Sequence, residues 1–271
     1  MSETVEVAAL QLAPVPGEVE RNLARLGALA RERAAGADLI VAPELPVSGY
    51  DLELLAERGD VLAETLDGPT VALAAELAAD LEATVVAGVL ERAGGVLHDT
   101  AVIVGPQGLV AHYRKTHLYP PEDAYFAAGE RLETTPTPAG RLGVMICFEH
   151  AFPEIATALA LAGAQILAIP SAVPDGYEHL LTLRTRARAQ DNQIFAIASN
   201  LAGGAFCGGS LIAGPRGDVL AEAGRGEEVV RATIDLAAIE REREREPALS
   251  LRRPELYHSD AGPRTATSRR R

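Results

Sequence analysis

Short apolar runs without polar interruption alternate along the chain with longer stretches in which Ala and Leu recur every three or four positions among Glu and Arg. That alternation predicts an α/β fold with helices laid over a buried sheet. Strands are predicted over 4–12, 37–42, 84–90, 97–104, 108–113, 141–147, 165–169, 194–199, 206–213 and 228–234, and helices over about 18–35, 69–81, 152–162 and 177–192. Gly94-Gly95 and Gly105-Pro106-Gln107-Gly108 punctuate short strands at hairpin spacing, so an antiparallel ladder is expected within the parallel pattern and the sheet is predicted to be mixed. The segment 114–140 reads as a long Pro-containing loop. Because no Gly/Ser linker, charge block or repeat divides the chain, a single domain is expected over 1–250, followed by a partly flexible extension over 251–271.

Composition narrows the picture. The 271 residues are 48% apolar but 4% aromatic, with no Trp, so the core has to be built from Ala, Val, Leu and Ile. A net charge of −13 argues against a nucleic-acid surface, and the terminal Arg269-Arg270-Arg271 cluster reads as a solvated tail. Two cysteines, Cys147 and Cys207, are too few for a disulfide framework and point to a reducing compartment. A strand pattern begins almost at once without a leader-like segment, and no apolar run reaches the roughly 18 residues of a membrane span, so a soluble cytoplasmic protein is expected.

Of the 25 lysines and arginines, Lys115 is the single lysine. A coding bias towards arginine accounts for the scarcity and makes the survivor informative, because a compact ammonium and a planar guanidinium are not interchangeable. Lys115 follows one predicted strand, Glu44 ends another and Cys147 a third. Carboxyl ends of strands are where α/β folds build their sites. The trio has a shared chemistry. A free thiol is only slightly ionised at neutral pH, a carboxylate can take its proton and return it to a leaving amine, and an ammonium can stabilise the oxyanion formed on attack at a carbonyl or nitrile carbon. A helix starting near Pro153 and the backbone N–H of Phe148 would add positive potential. His150, three residues after Cys147, raises a Cys–His alternative that would leave Glu44 and Lys115 unexplained. His117 reads as a structural hydrogen-bonding residue at the base of the lysine loop, and Cys207 as a packed thiol. The histidines lack ligand spacing, so no metal is expected, and no phosphate-binding loop or dinucleotide fingerprint is present.

Pro43-Glu44-Leu45, Arg114-Lys115-Thr116-His117-Leu118 and Cys147-Phe148-Glu149 with Phe152-Pro153-Glu154 closely resemble, in order and spacing, the three signature segments of the nitrilase superfamily, the carbon-nitrogen hydrolases. Arg188-Ala189-Gln190-Asp191-Asn192, Ala198-Ser199-Asn200, Gly208-Gly209-Ser210 and Gly214-Pro215-Arg216-Gly217 extend the resemblance over about 4–235. The resemblance implies a four-layer α-β-β-α sandwich and a thioester at Cys147, with Glu44 as general base and Lys115 as oxyanion stabiliser. It also implies that Glu122 orients the lysine and the incoming water, that Phe148, Ser171 and Ala172 contact substrate, that no cofactor is needed, and that the chain forms a homodimer or higher homo-oligomer. Two segments depart from the pattern: 201–206 is shortened and lacks the usual acid, and His98-Asp99-Thr100 replaces a Tyr-Asn-Ser/Thr type of segment. The reading that results is an amidase releasing ammonia or an amine from a small linear amide. An N-carbamoyl amino acid or nitrile hydrolase is the runner-up. A non-catalytic interaction protein on the same scaffold is the alternative of another class, and a nucleotide-binding doubly wound domain is disfavoured by the missing phosphate loops.

Overall fold

The apolar runs become the central strands of two six-stranded mixed sheets in a computed structural model that describes residues 4–257. The first half of the chain supplies β1 (Thr4–Gln11), α1 (Val19–Arg33), β2 (Leu39–Val41), α2 (Leu52–Leu62), α3 (Pro69–Leu81), β3 (Thr84–Ala93), β4 (Val96–Gly105) and β5 (Gly108–Arg114). The second begins with β6 (Thr134–Thr137), β7 (Gly140–Val144), α4 (Pro153–Leu161), β8 (Ile166–Ser171), α5 (Glu178–Asn192) and β9 (Phe195–Asn200). It continues with a two-stranded ribbon, β10 (Ala202–Gly203) and β11 (Phe206–Cys207), and then β12 (Leu211–Ala213), β13 (Val219–Glu222), β14 (Glu228–Asp235) and α6 (Ala237–Arg245).

The strand orders are β14-β1-β2-β3-β4-β5 and β13-β12-β9-β8-β7-β6. The two sheets share one plan. Each has three central parallel strands joined by helical crossovers, β1-β2-β3 in one and β7-β8-β9 in the other, with antiparallel strands on both flanks. Alternation along β1 shows how the layers form: Val5, Val7 and Ala9 join the core between the sheets, whereas Ala8 and Leu10 pack with Leu26, Leu29, Leu77 and Ala78 of α1 and α3. Ile155, Leu159, Leu181 and Ala189 of α4 and α5 cover the opposite sheet. The result is the expected α-β-β-α sandwich.

The predicted strand 206–213 is broken in two, because Gly208 and Gly209 both take positive φ, where the chain turns from β11 into β12. The expected loop 114–140 contains a short 3-10 turn, Glu122–Ala124, and the edge strand β6, whose Pro136 is tolerated at an edge. Helices α2 and α6 escape the periodicity because they bury little, Leu55 and Gly59 in the first and Ile239 in the second. Past α6 the chain makes one more 3-10 turn, Pro254–Leu256; residues 258–271 of the expected extension lie outside the described residues.

Candidate active site

Three turns leaving the sheets converge. The first follows β2, where Ala42 N donates to Val86 O and Glu44 N to Ser171 O at 3.4 Å, so the Glu44 backbone is braced by both sheets. Leu45 sits at φ 42°, and the absence of a side chain at Gly88 lets this turn lie directly on β3: a Cβ there would meet Pro43 O at 2.7 Å and Glu44 Cα at 2.9 Å. The second turn follows β5, where Lys115 N donates to Asp99 O at 2.9 Å and Lys115 O accepts from Gly129 N at 2.8 Å. The third follows β7. Cys147 opens a five-residue 3-10 turn at φ 46°, a left-handed conformation that costs a β-carbon residue about 1 kcal/mol and projects the thiol out of the strand line. This turn, rather than the N-terminus of α4, stands next to the sulfur, since α4 starts only at Pro153.

Lys115 is enclosed. Its Nζ donates to Glu44 Oε1 at 2.7 Å, to Glu122 Oε1 at 2.7 Å and to Asp99 Oδ2 at 3.2 Å, and its side chain is 1% exposed. Glu122 is fixed further by the Tyr50 hydroxyl at 2.6 Å and Tyr119 N at 2.7 Å. The Glu44, Asp99 and Glu122 carboxyl oxygens lie within 4.8 Å of one another, the oxygen density a divalent cation favours. The ammonium of Lys115 already serves as their cation. Burial, the largest single influence, lowers the pKa of the lysine, but the acids around it, Glu44 foremost, hold it well above its ordinary value.

Cys147 is partly exposed. Burial and the negative charge of Glu44 push its thiol well above the usual cysteine range, while Lys115 and a hydrogen bond from the Ala172 backbone N–H favour the thiolate. The resting group is therefore a thiol. Phe148 forms the adjoining wall, edge-on to Tyr119 and Phe152 with ring centroids 5.3 Å apart in both pairs. The Ser171 hydroxyl turns back to Ile169 O at 3.1 Å, so this residue faces the site with its backbone.

Two buried acids join the site without having been assigned a part from the sequence. Glu149 accepts Ile146 N at 2.7 Å with one oxygen and, with the other, Tyr113 Oη at 2.7 Å, Thr116 N at 2.8 Å, Thr116 Oγ1 at 2.6 Å and His117 N at 3.1 Å. It thus ties the Cys147 turn to the lysine turn. Despite its burial, these donors and nearby His117 hold its carboxyl below the usual glutamate range. The signal available was local: an acid three residues after Ile146, the residue that precedes the turn, can return to that residue's N–H as a cap does. Asp99 carried as signals its place in His98-Asp99-Thr100, which departs from the usual Tyr-Asn-Ser/Thr segment, and its strand position next to the residue paired with Arg114.

The remaining candidates have other partners. His150 is buried, faces Arg184 with Nε2 3.2 Å from its Nη1, and is pushed down to about 3 by burial and neighbouring arginines, so it is a neutral imidazole engaged away from a general-base role. His117 contacts Thr116 and packs on Phe152 with ring centroids 4.5 Å apart. Cys207 is buried, accepts from Asn200 Nδ2 at 3.2 Å and is pushed up to about 11 by burial, the signature of a packed thiol.

The same sandwich is found in known proteins. The chain is 35% identical to an (R)-stereoselective amidase of a Pseudomonas species, covering 86% of this chain and 85% of that one, and 34% identical to a nitrilase of Pyrococcus abyssi, covering 88% and 93%. It superposes with a TM-score of 0.82, at 26% identity over 93% of this chain and 95% of the other, on a glutamate-to-glutamine mutant of the amidase from Nesterenkonia sp. AN1 that shows covalent addition of the acetamide moiety of fluoroacetamide at the active site cysteine. A family model described as Carbon-nitrogen hydrolase matches residues 6–244, and with it this chain belongs to the carbon-nitrogen hydrolases of the nitrilase superfamily.

Proposed function

We propose that the protein is an amidase that hydrolyses a small linear amide through a thioester on Cys147 and releases ammonia or an amine. The observation that carries this reading is the Lys115 ammonium at 2.7 Å from both Glu44 and Glu122, in electrostatic contact with a partly exposed Cys147. The thiol attacks the carbonyl carbon as its proton passes to Glu44. The Phe148 N–H and the positive charge of Lys115, whose N–H groups stay on the carboxyls, stabilise the charge that develops on the carbonyl oxygen, where removal of one such contribution costs about 3–4 kcal/mol in comparable sites. Collapse returns the proton from Glu44 to the leaving amine. Water, activated by Glu44 and oriented from the Glu122 side, then opens the thioester. Ala172 N–H supports the sulfur, and the Ser171 carbonyl braces Glu44.

The amidase among the relatives and the covalently modified amidase among the similar structures support this substrate class. A nitrile, attacked at carbon by the same thiol, is the second reading, favoured by the relative from Pyrococcus abyssi. The protein works in the cytoplasm as a homo-oligomer in this reading. No helix among the described residues is long and apolar enough to cross a membrane, and Leu161 of α4 and Leu183 of α5 expose apolar side chains. A screen of small amides, ureido acids and nitriles with ammonia detection tests the assignment. Turnover of amides at the highest kcat/KM is expected; preference for nitriles or ureido acids would move the enzyme to another branch, and inertness of every compound would overturn it.

A further inference from the structure

Four charged or titratable groups meet around Lys115 with no water-exposed member: Glu44 after β2, Asp99 on β4, Glu122 in the 3-10 turn and the lysine itself. Fully ionised, three carboxylates and one ammonium would leave two uncompensated negative charges in a buried space. Like charges this close and out of water do not persist, and one acid keeps its proton.

The hydrogen bonds identify which one. Glu122 accepts three donors, from Lys115, Tyr50 and Tyr119, spread over both its oxygens, so a proton on it would lack an acceptor among these partners. Glu44 takes the other 2.7 Å bond from the lysine, whereas Asp99 has the longest contact, at 3.2 Å. Asp99 Oδ1 and Glu44 Oε2 are both buried without a partner, and they belong to neighbouring carboxyl groups. A proton on Asp99 aimed at Glu44 Oε2 removes one surplus charge and provides a donor where none was present; each Glu44 oxygen then accepts one hydrogen bond and keeps a second lone pair with which to receive the thiol proton. Burial and the charge of Glu44 raise the Asp99 carboxyl well above the aspartate range, in the same sense.

We propose that Asp99 is a positioning residue that acts as a neutral carboxylic acid, donating its O–H to Glu44 and so fixing the base against Cys147. The proposal rests on Glu44 being the base. The groups facing Asp99 are Glu44 and Lys115, with Glu122 and Cys147 across the lysine, so loss of its proton at alkaline pH sets a third negative charge against the base and switches the enzyme off. Asparagine offers an N–H donor of the same shape and cannot ionise; alanine offers no donor.

Two measurements on the purified protein test this. Infrared difference spectra between the wild type and Asp99→Asn at neutral pH should show the carbonyl stretch of a protonated carboxylic acid in the wild type alone. Its absence from the wild type would overturn the proposal whatever the substrate turns out to be. In pH profiles of kcat/KM, Asp99→Asn is expected to keep kcat at neutral pH within about five-fold and to move its alkaline limb up by a pH unit or more, while Asp99→Ala loses at least about ten-fold in kcat, the usual scale for misaligning a catalytic group. An asparagine variant as impaired as the alanine one, or with an unmoved alkaline limb, would contradict the neutral-acid role. Turnover undiminished by Glu44→Gln would instead bring down the catalytic reading, with the infrared result still standing on its own.

Discussion

An ammonium gripped by three carboxyl groups at 2.7, 2.7 and 3.2 Å leaves no width for a guanidinium, whose donors point along a fixed planar fork. Lys115→Arg is accordingly expected to lose on the order of 10²-fold or more in kcat, because the positive charge that stabilises the oxyanion is displaced. Steady-state kinetics check this, and near-normal kcat would remove Lys115 from the oxyanion. Glu44→Gln keeps the shape and deletes the base; a loss of at least roughly 10²-fold is expected with the circular dichroism unchanged. More than about a tenth of wild-type activity would make Glu44 a structural residue. At this scale the sequence was informative where chemistry restricts the residue type, as at the lone lysine and the strand-end cysteine. It was silent where a role exists only through distant contacts: Asp99 and Glu149 are ordinary acids until β4, β5 and the Cys147 turn are brought together.

The elements hold the trio through their turns, and two substitutions away from the reacting atoms test that. Gly88 on β3 lies under the Glu44 turn, and its replacement by alanine would drive a methyl group into Pro43 and Glu44 backbone. Because displacement by about 1 Å can cost up to about 10²-fold, Gly88→Ala should lower kcat by at least about ten-fold; an unchanged kcat would show that the turn adapts. Glu149 joins the turns after β5 and β7, and its carboxyl is held below the usual glutamate range, so its ionised form stabilises the fold above about pH 4.3, the unfolded value, and that stabilisation is lost as pH falls through the lower folded value. Glu149→Gln should therefore melt at a lower temperature than the wild type at pH 7, the gap closing in acid. A gap of constant size from pH 7 to pH 3 would contradict the ionised role. The central strands and four crossover helices were legible because they bury continuous apolar surface. Helix α6, with its run of alternating Glu and Arg, and edge strand β6, with its proline, bury too little to leave a periodic trace.

At the scale of the whole molecule, two sheets of one plan enclose a single apolar core, and the site opens where turns from both meet. The layer arrangement could be expected from the sequence through its motifs; periodicity alone could not say how many sheets the strands form, since buried strands of one sheet or two share the same apolar pattern. The face formed by α4 and α5 is where self-association is expected. Light scattering should find a dimer or larger assembly, and Leu183→Asp should reduce its size; a wild-type monomer at micromolar concentration would contradict this. The most direct test of the account is mass spectrometry of the enzyme mixed with a small amide and rapidly quenched in acid. The account predicts an acyl adduct on the peptide containing Cys147, with ammonia release abolished by Cys147→Ala; an adduct on Cys207 alone, or undiminished turnover by Cys147→Ala, would contradict it.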